Sequence, residues 1–170
     1  MASTTYLGNG EVVSADFKSV KWVGKTKSNV EVTIELSNAI NMGNIDWTFA
    51  EKDDTIATVT FEACYTNTDS ASASTAEPWS ITTSATPSAG ASEILLGAGV
   101  FYIGTTAVAL TRGGGSFNVE REYREINADG DRGAVKDRVV MESSRAKLTM
   151  NALTMLTRLS DLYTSVEVSA

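Results

Sequence analysis

The chain has 170 residues, 42% of them hydrophobic and 21% charged, with a formal net charge of -7; that is enough for one domain with a proper core and too acidic for a surface gripping nucleic-acid phosphates with clustered Lys and Arg. Histidine is absent and Cys64 is the one cysteine, which excludes an intrachain disulfide and removes the commonest general base and metal ligands together. No stretch approaches the ~18 consecutive apolar residues of a membrane span, and no basic-plus-apolar signal sequence opens the chain.

Charge is unevenly divided along the sequence. Residues 1–85 carry 5 basic and 11 acidic side chains and residues 86–170 carry 9 and 10, with all seven arginines after position 110. The opening Met-Ala-Ser-Thr-Thr reads as the start of a cytoplasmically made protein or of an engineered chain. Residues 11–36 read as two strands, "EVVSADFKSVKWVGK" and "SNVEVTIEL". In the second, Val30, Val32, Ile34 and Leu36 alternate with Glu31, Thr33 and Glu35, the period of a half-buried strand. "SNAINMG" reads as a short helical turn stopped by Gly43. "NIDWTFA" then reads as a strand, "EKDDT" as a charged hairpin turn, and "IATVTFEACYT" as the strongest strand of this half. Its Val59, Phe61, Ala63 and Tyr65 share one face and Thr60, Glu62 and Cys64 the other.

From Thr66 to Glu93 the composition changes: 22 of 28 residues are Ser, Thr, Ala, Gly or Pro. Such a tract buries too little apolar surface to offset its ordering entropy and reads as a mobile joining segment, with Trp79 and Ile81 as its anchors. After it, "EILLGAGVFYIGTTAVALT" is strand-like, Gly113-Gly114-Gly115 makes a turn, 116–126 is a strand, 127–137 a polar loop and 138–150 a strand. "NALTMLTRLSDLYT" reads as a helix capped by Asn151, with Leu153, Leu156, Leu159 and Tyr163 on one side. "SVEVSA" closes the chain as a strand. The expectation is a mainly β domain with one flanking helix.

Catalytic and metal motifs fail on their context. The triple glycine lies between strands, whereas a phosphate loop needs a following helix. "NADGDRGAVKDR" opens like a calcium loop, but Arg132 stands at its glycine position and Arg138 where a bidentate Glu belongs. Ser144 and Lys147 match Ser-x-x-Lys, but on a strand they point to opposite faces. Glu120 and Glu122 share a face with Arg124, which makes them a charge row rather than an acid/base pair. Cys64 is a small packing residue. The sequence implies no enzyme, no cofactor and no metal.

One resemblance covers about four-fifths of the chain. "GTTAVALTRGGGSFNVEREYREINADGDRGAVKDRVVMESSRAKLTMNALTML" resembles the first half of the tail tube protein (major tail protein) of long-tailed bacteriophages: Thr-Arg-Gly-Gly, then Phe-x-Val-Glu-x-Glu, Arg-Glu-Ile-x-x-Asp-Gly, an Ala-Val-Lys segment and a strand leading to a Leu-rich helix. "VTIELSNAINMGNIDWTFAEKDDTIATVTFEACYTNTD...PW" resembles the second half. The order is reversed relative to that family. The chain is therefore read as a circular permutant, most simply an engineered one. By this resemblance residues 1–65 correspond to the family's C-terminal half, 66–93 to a flexible joining segment and 94–170 to the N-terminal half, and joining Ala170 to Ser3 restores a strand-to-loop passage.

The resemblance implies a β-sandwich or small barrel of the tail-tube type with a flanking helix. Such subunits form hexameric rings that stack into a hollow tube in the virion tail, made in the bacterial host cytoplasm. The implied partners are other copies of the chain, the tape-measure and tail-terminator proteins, and DNA that passes through without specific binding; no membrane is involved. The loop residues Asn127, Asp129, Asp131, Arg132 and Lys136 then become inter-ring or intersubunit contacts, and Glu120, Glu122 and Arg124 a luminal or interface row. The tube subunit of a contractile injection system and a β-sandwich binding or adhesion module are the alternative readings.

Overall fold

The computed structural model of the chain describes residues 5–8, 11–43, 46–47, 56–66, 76–84, 95–108, 111–126, 128–129, 133, 135, 138–153 and 166–169. These form β1 (Thr5–Gly8), a 3-10 turn (Ser14–Asp16), β2 (Lys18–Thr26), β3 (Glu31–Asn41), β4 (Asp46–Trp47), β5 (Ala57–Ala63), β6 (Trp79–Thr83), β7 (Leu95–Ile103), β8 (Thr106–Val108), β9 (Thr111–Glu125), β10 (Val139–Ala152) and β11 (Val166–Ser169). The mainly β expectation holds. All pairings among the described residues are antiparallel. One large sheet runs β8-β7-β2-β3-β5-β10-β9, with β4 on β5 and β6 on β3, while β1 and β11 form a separate two-stranded ribbon.

The large sheet turns over at β3. Lys18 faces Ala39 but Val20 faces Leu36, so two steps on β2 match three on β3, a bulge that bends the strand. Before the bulge β3 carries β6 on its second edge, with Leu36 opposite Trp79. Beyond it β3 carries β5, with Ala39 opposite Ala63. The sheet's two halves then face each other. Val20, Trp22, Leu36, Phe101 and Ile103 from one half meet Val59, Phe61, Ala146, Leu148 and Met150 from the other. Each such large side chain contributes about 1.5–3 kcal/mol by leaving water.

Several expectations change. Residues 37–41 are not helical: they continue β3, because pairing with both Lys18 and Ala63 outweighs a weak local helical preference. The first of the two strands expected within 11–36 begins at Lys18, after the 3-10 turn, rather than at Glu11. Gly113 and Gly114 have φ of +82° and +75° and make a bulge inside β9 rather than a turn, since Met150 pairs Gly115 while Ala152 pairs Thr111. Only a residue tolerant of positive φ accepts that geometry without strain. Asn151 is not a helix cap. It lies in β10, and its side-chain oxygen accepts a hydrogen bond from Thr58 Oγ1 at 2.9 Å; the rest of the expected helix, 154–164, falls outside the described residues. Within the expected joining segment 66–93, Trp79–Thr83 form β6, so that part belongs to the sheet. Trp79 anchors it as read from the sequence, whereas Ile81 is exposed. The "EKDDT" turn and the rest of the strand around β4 lie outside the described residues.

Candidate assembly interface

β9 and β10 are far longer than the layer they belong to. Their ladder runs from Thr149–Ser116 in the body out to Val139–Glu125, and the amide of Ile126 still donates to the carbonyl of Arg138 at 2.9 Å. Past Arg121 the pair leaves the body as a two-stranded arm. Because β9 alternates without a break from Gly115 onward, Glu120, Glu122 and Arg124 share the outward face while Phe117, Val119, Arg121, Tyr123 and Glu125 share the face that lines the core. On β10 an irregularity at Glu142 lets Met141 sit opposite Tyr123 and Ser143 opposite Glu122.

Glu120, Glu122 and Arg124 share one face, and each has a neighbour. Glu120 takes the Lys147 ammonium at 3.6 Å and the Asn118 amide at 3.2 Å. The Ser143 hydroxyl donates to Glu122 at 2.9 Å, and Arg124 pairs with Glu142 at 2.8 Å. The polar outer face continues onto β5, where Thr60 and Thr149 share a hydrogen bond of 3.0 Å.

The core-facing side behaves differently. Phe117 and Val119 are half-buried against the core, and Phe117 meets the Trp79 ring at 5.7 Å. The Arg121 guanidinium lies over Trp79 at 5.8 Å, a cation–π contact. There the cover ends. Tyr123 is 57% and Met141 44% exposed, and Ile126, Val139 and Val140 are exposed with them. On the core-facing side Tyr123, Met141 and Val139 therefore carry an apolar stripe out along the arm with no described residue over it, while Val140 lies on the Arg124 face.

Two buried polar atoms mark the root of the arm. Trp79 Nε1 and Ser144 Oγ are buried and make no hydrogen bond. Ser144 nevertheless lies near enough to Tyr65 to act on its acidity. Burial pushes the Tyr65 hydroxyl up and its bond to Glu77, 2.9 Å, adds to that, while Ser144 and Arg121 pull the other way and the net direction is upward. That bond joins the points where the chain leaves the edge of β3 after β5 and returns to it as β6. Ser144 faces the core and Lys147 the outer side, so the Ser-x-x-Lys pair points apart. Burial, then Glu62, raise the Cys64 thiol, which makes it a poor nucleophile.

Of the loop residues singled out in the sequence, Asp129 is exposed in a turn at the end of the arm; Asn127, Asp131, Arg132 and Lys136 lie outside the described residues. The residues that sequence reasoning missed are Tyr123, Ile126, Val139, Val140 and Met141. The signal was present in "FNVEREY", whose period-two apolar side continues past the last position with anything opposite it to pack against. Comparison with protein-family models, curated proteins and solved structures found no match.

Proposed function

We propose that the chain is a non-enzymatic structural subunit that assembles through its arm and, by the resemblance of its segments, builds hexameric rings stacked into a hollow phage tail tube conducting DNA. One observation carries the reading: an arm whose apolar stripe no described residue covers. A monomer gains nothing from exposing Tyr123, Val139 and Met141 together on one face, and exposed contiguous apolar surface of this kind marks protein contacts.

Two further features support it. β9 ends the sheet, and along its 15 residues only one edge is paired among the described residues; ring closure relieves such an edge. The chain's ends also pair with each other, Thr5 opposite Ser169 through Gly8 opposite Val166, as the strands of one hairpin opened at its turn would. That arrangement favours the permuted reading of the order, while the tail-tube type of β-sandwich and its flanking helix rest on the resemblance alone. Trp22, at 8% exposed, is core rather than a sugar-stacking platform, which weighs against the binding-module alternative.

The test is negative-stain electron microscopy of the purified chain across a concentration series, with mass photometry on the same samples. Rings or tubes with six-fold views are expected. Replacing 122–142 by a two-residue turn is expected to leave a folded chain that forms none. Tubes assembled by the shortened chain would remove the arm from the interface. Replacing Asp129, Asp131, Arg132 and Lys136 by Ser or Gly tests the tip alone, and unchanged assembly there ends its role as a contact.

A further inference from the structure

The core-facing side of the arm carries, in order along β9, a cation, an aromatic ring and an anion at alternate positions: Arg121, Tyr123 and Glu125. The order is symmetric about Tyr123 in position and opposite in charge. Such a row is complementary to a copy of itself turned end for end. We propose that a second copy of this chain covers the arm, arm against arm about a two-fold axis through Tyr123. This rests on the arm's geometry alone and not on the tail-tube reading.

Positions two apart on a strand are separated by roughly 6.6 Å, so Arg121 and Glu125 lie about 13 Å apart with Tyr123 midway. Two sheet faces stack about 10 Å apart, a distance that Arg and Glu side chains bridge. With the arms antiparallel, each Arg121 meets the Glu125 of the other copy, and the Tyr123 and Met141 side chains of both close the centre. With the arms parallel, Arg121 meets Arg121 and Glu125 meets Glu125; like charges in contact select against that arrangement. The opposite face of the arm cannot serve in the same way, because Glu122 and Arg124 are engaged with Ser143 and Glu142. Arg121, exposed but held over Trp79, is kept ready for its partner.

The patch is small. Five or so side chains from each copy cover less than the ~800 Å² per partner of a stable complex. The pair is therefore weak and concentration-dependent, and it dissociates when other contacts compete for the arm.

Charge reversal in trans tests the symmetry. In a homodimer, Arg121→Glu sets carboxylate against carboxylate at both ends of the contact, and Glu125→Arg sets guanidinium against guanidinium at both. Mixed one to one, the two variants regain an attractive pair at both ends. Sedimentation velocity on the full chain is expected to show a dimer for the unaltered protein, a dissociation constant raised about tenfold or more for each variant alone, and recovery in the mixture. Thermal melts establish that both variants fold; recovery in trans is itself a property only of folded chains. No dimer in the unaltered protein, variants that dimerise unchanged, or a mixture no better than its components each overturn the proposal. In a Cys64→Ser background, Tyr123→Cys is expected to crosslink to its own mate under mild oxidation while Lys25→Cys, exposed on β2, does not; equal rates overturn the two-fold axis. Six-fold tubes without this dimer, or this dimer without tubes, separate the fate of this inference from that of the proposed function.

Discussion

Trp22 fits only because two of its neighbours have no side chain. A Cβ at Gly99 or Gly24 would overlap its indole ring, whereas one at Gly97 would meet nothing within 4 Å. Gly99→Ala is therefore expected to lower stability by about 1–3 kcal/mol through overpacking, and Gly97→Ala to change it by less than about 0.5 kcal/mol; urea denaturation of the pair separates the two. Glu35 shows how a single ionisable group responds to its setting. Burial alone would raise its carboxyl, but the Ser19 hydroxyl at 2.6 Å and the Lys21 ammonium at 3.1 Å hold it below the ordinary value of 4.5. A lowered carboxyl favours the folded state above its unfolded value, and that contribution disappears as pH falls through the folded one. The denaturation midpoint is thus expected to drop in acid below about pH 4.5, and Glu35→Gln to flatten that part of the profile. An identical acid limb in the variant would assign the drop to other groups.

β6 shows what holds a short strand to an edge. Its backbone pairs β3 from Val32–Thr83 to Leu36–Trp79, the Ser37 amide donates to Pro78 O at 2.9 Å, and among its side chains Trp79 alone is partly buried in the core cluster. Trp79→Ala is expected to cost about 2–4 kcal/mol and to speed hydrogen exchange at the Ser37 amide. Trp79→Phe is expected to cost much less, because the indole N–H that it removes has no acceptor to lose. If both substitutions cost the same, the indole nitrogen has a partner in solution. The alternation in "VEVTIEL" and "TVTFEA" makes β3 and β5 legible from residue order alone, since a half-buried strand must alternate. Residues 37–41 are not legible in that way, because a few polar and small residues specify no backbone state until Lys18 and Ala63 are brought alongside.

The pairing of β1 with β11 places the two ends of the chain in one ribbon, although nearly the whole sequence lies between them. A two-stranded ribbon has little stability by itself, so its register reflects where the rest of the molecule delivers the ends. A rearranged chain that joins Ala170 to Met1 and opens within 85–93 is expected to keep the sheet intact and unfold with the same denaturant dependence, because no described strand is cut by the new opening. Amide fingerprints that agree outside residues near the two joints are the outcome the permuted reading requires. Widespread differences in the body would remove it.

Taken by itself, the sequence determined the absence of histidine and of a second cysteine, the β-rich class, the apolar faces of β3 and β5, and the shared face of Glu120, Glu122 and Arg124, all of them consequences of composition or of a period of two. The tertiary structure decided what those rules leave open. It turned the triple glycine from a turn into a bulge, carried β10 through Asn151 where a helix cap was expected, and built β6 into the sheet. It also decided that the apolar side of β9 stays covered up to Arg121 and bare beyond it. Local pattern reports which side of a strand is apolar. Where the cover stops depends on Trp79, which is distant from Arg121 in the sequence and reaches it only once β3 has turned over.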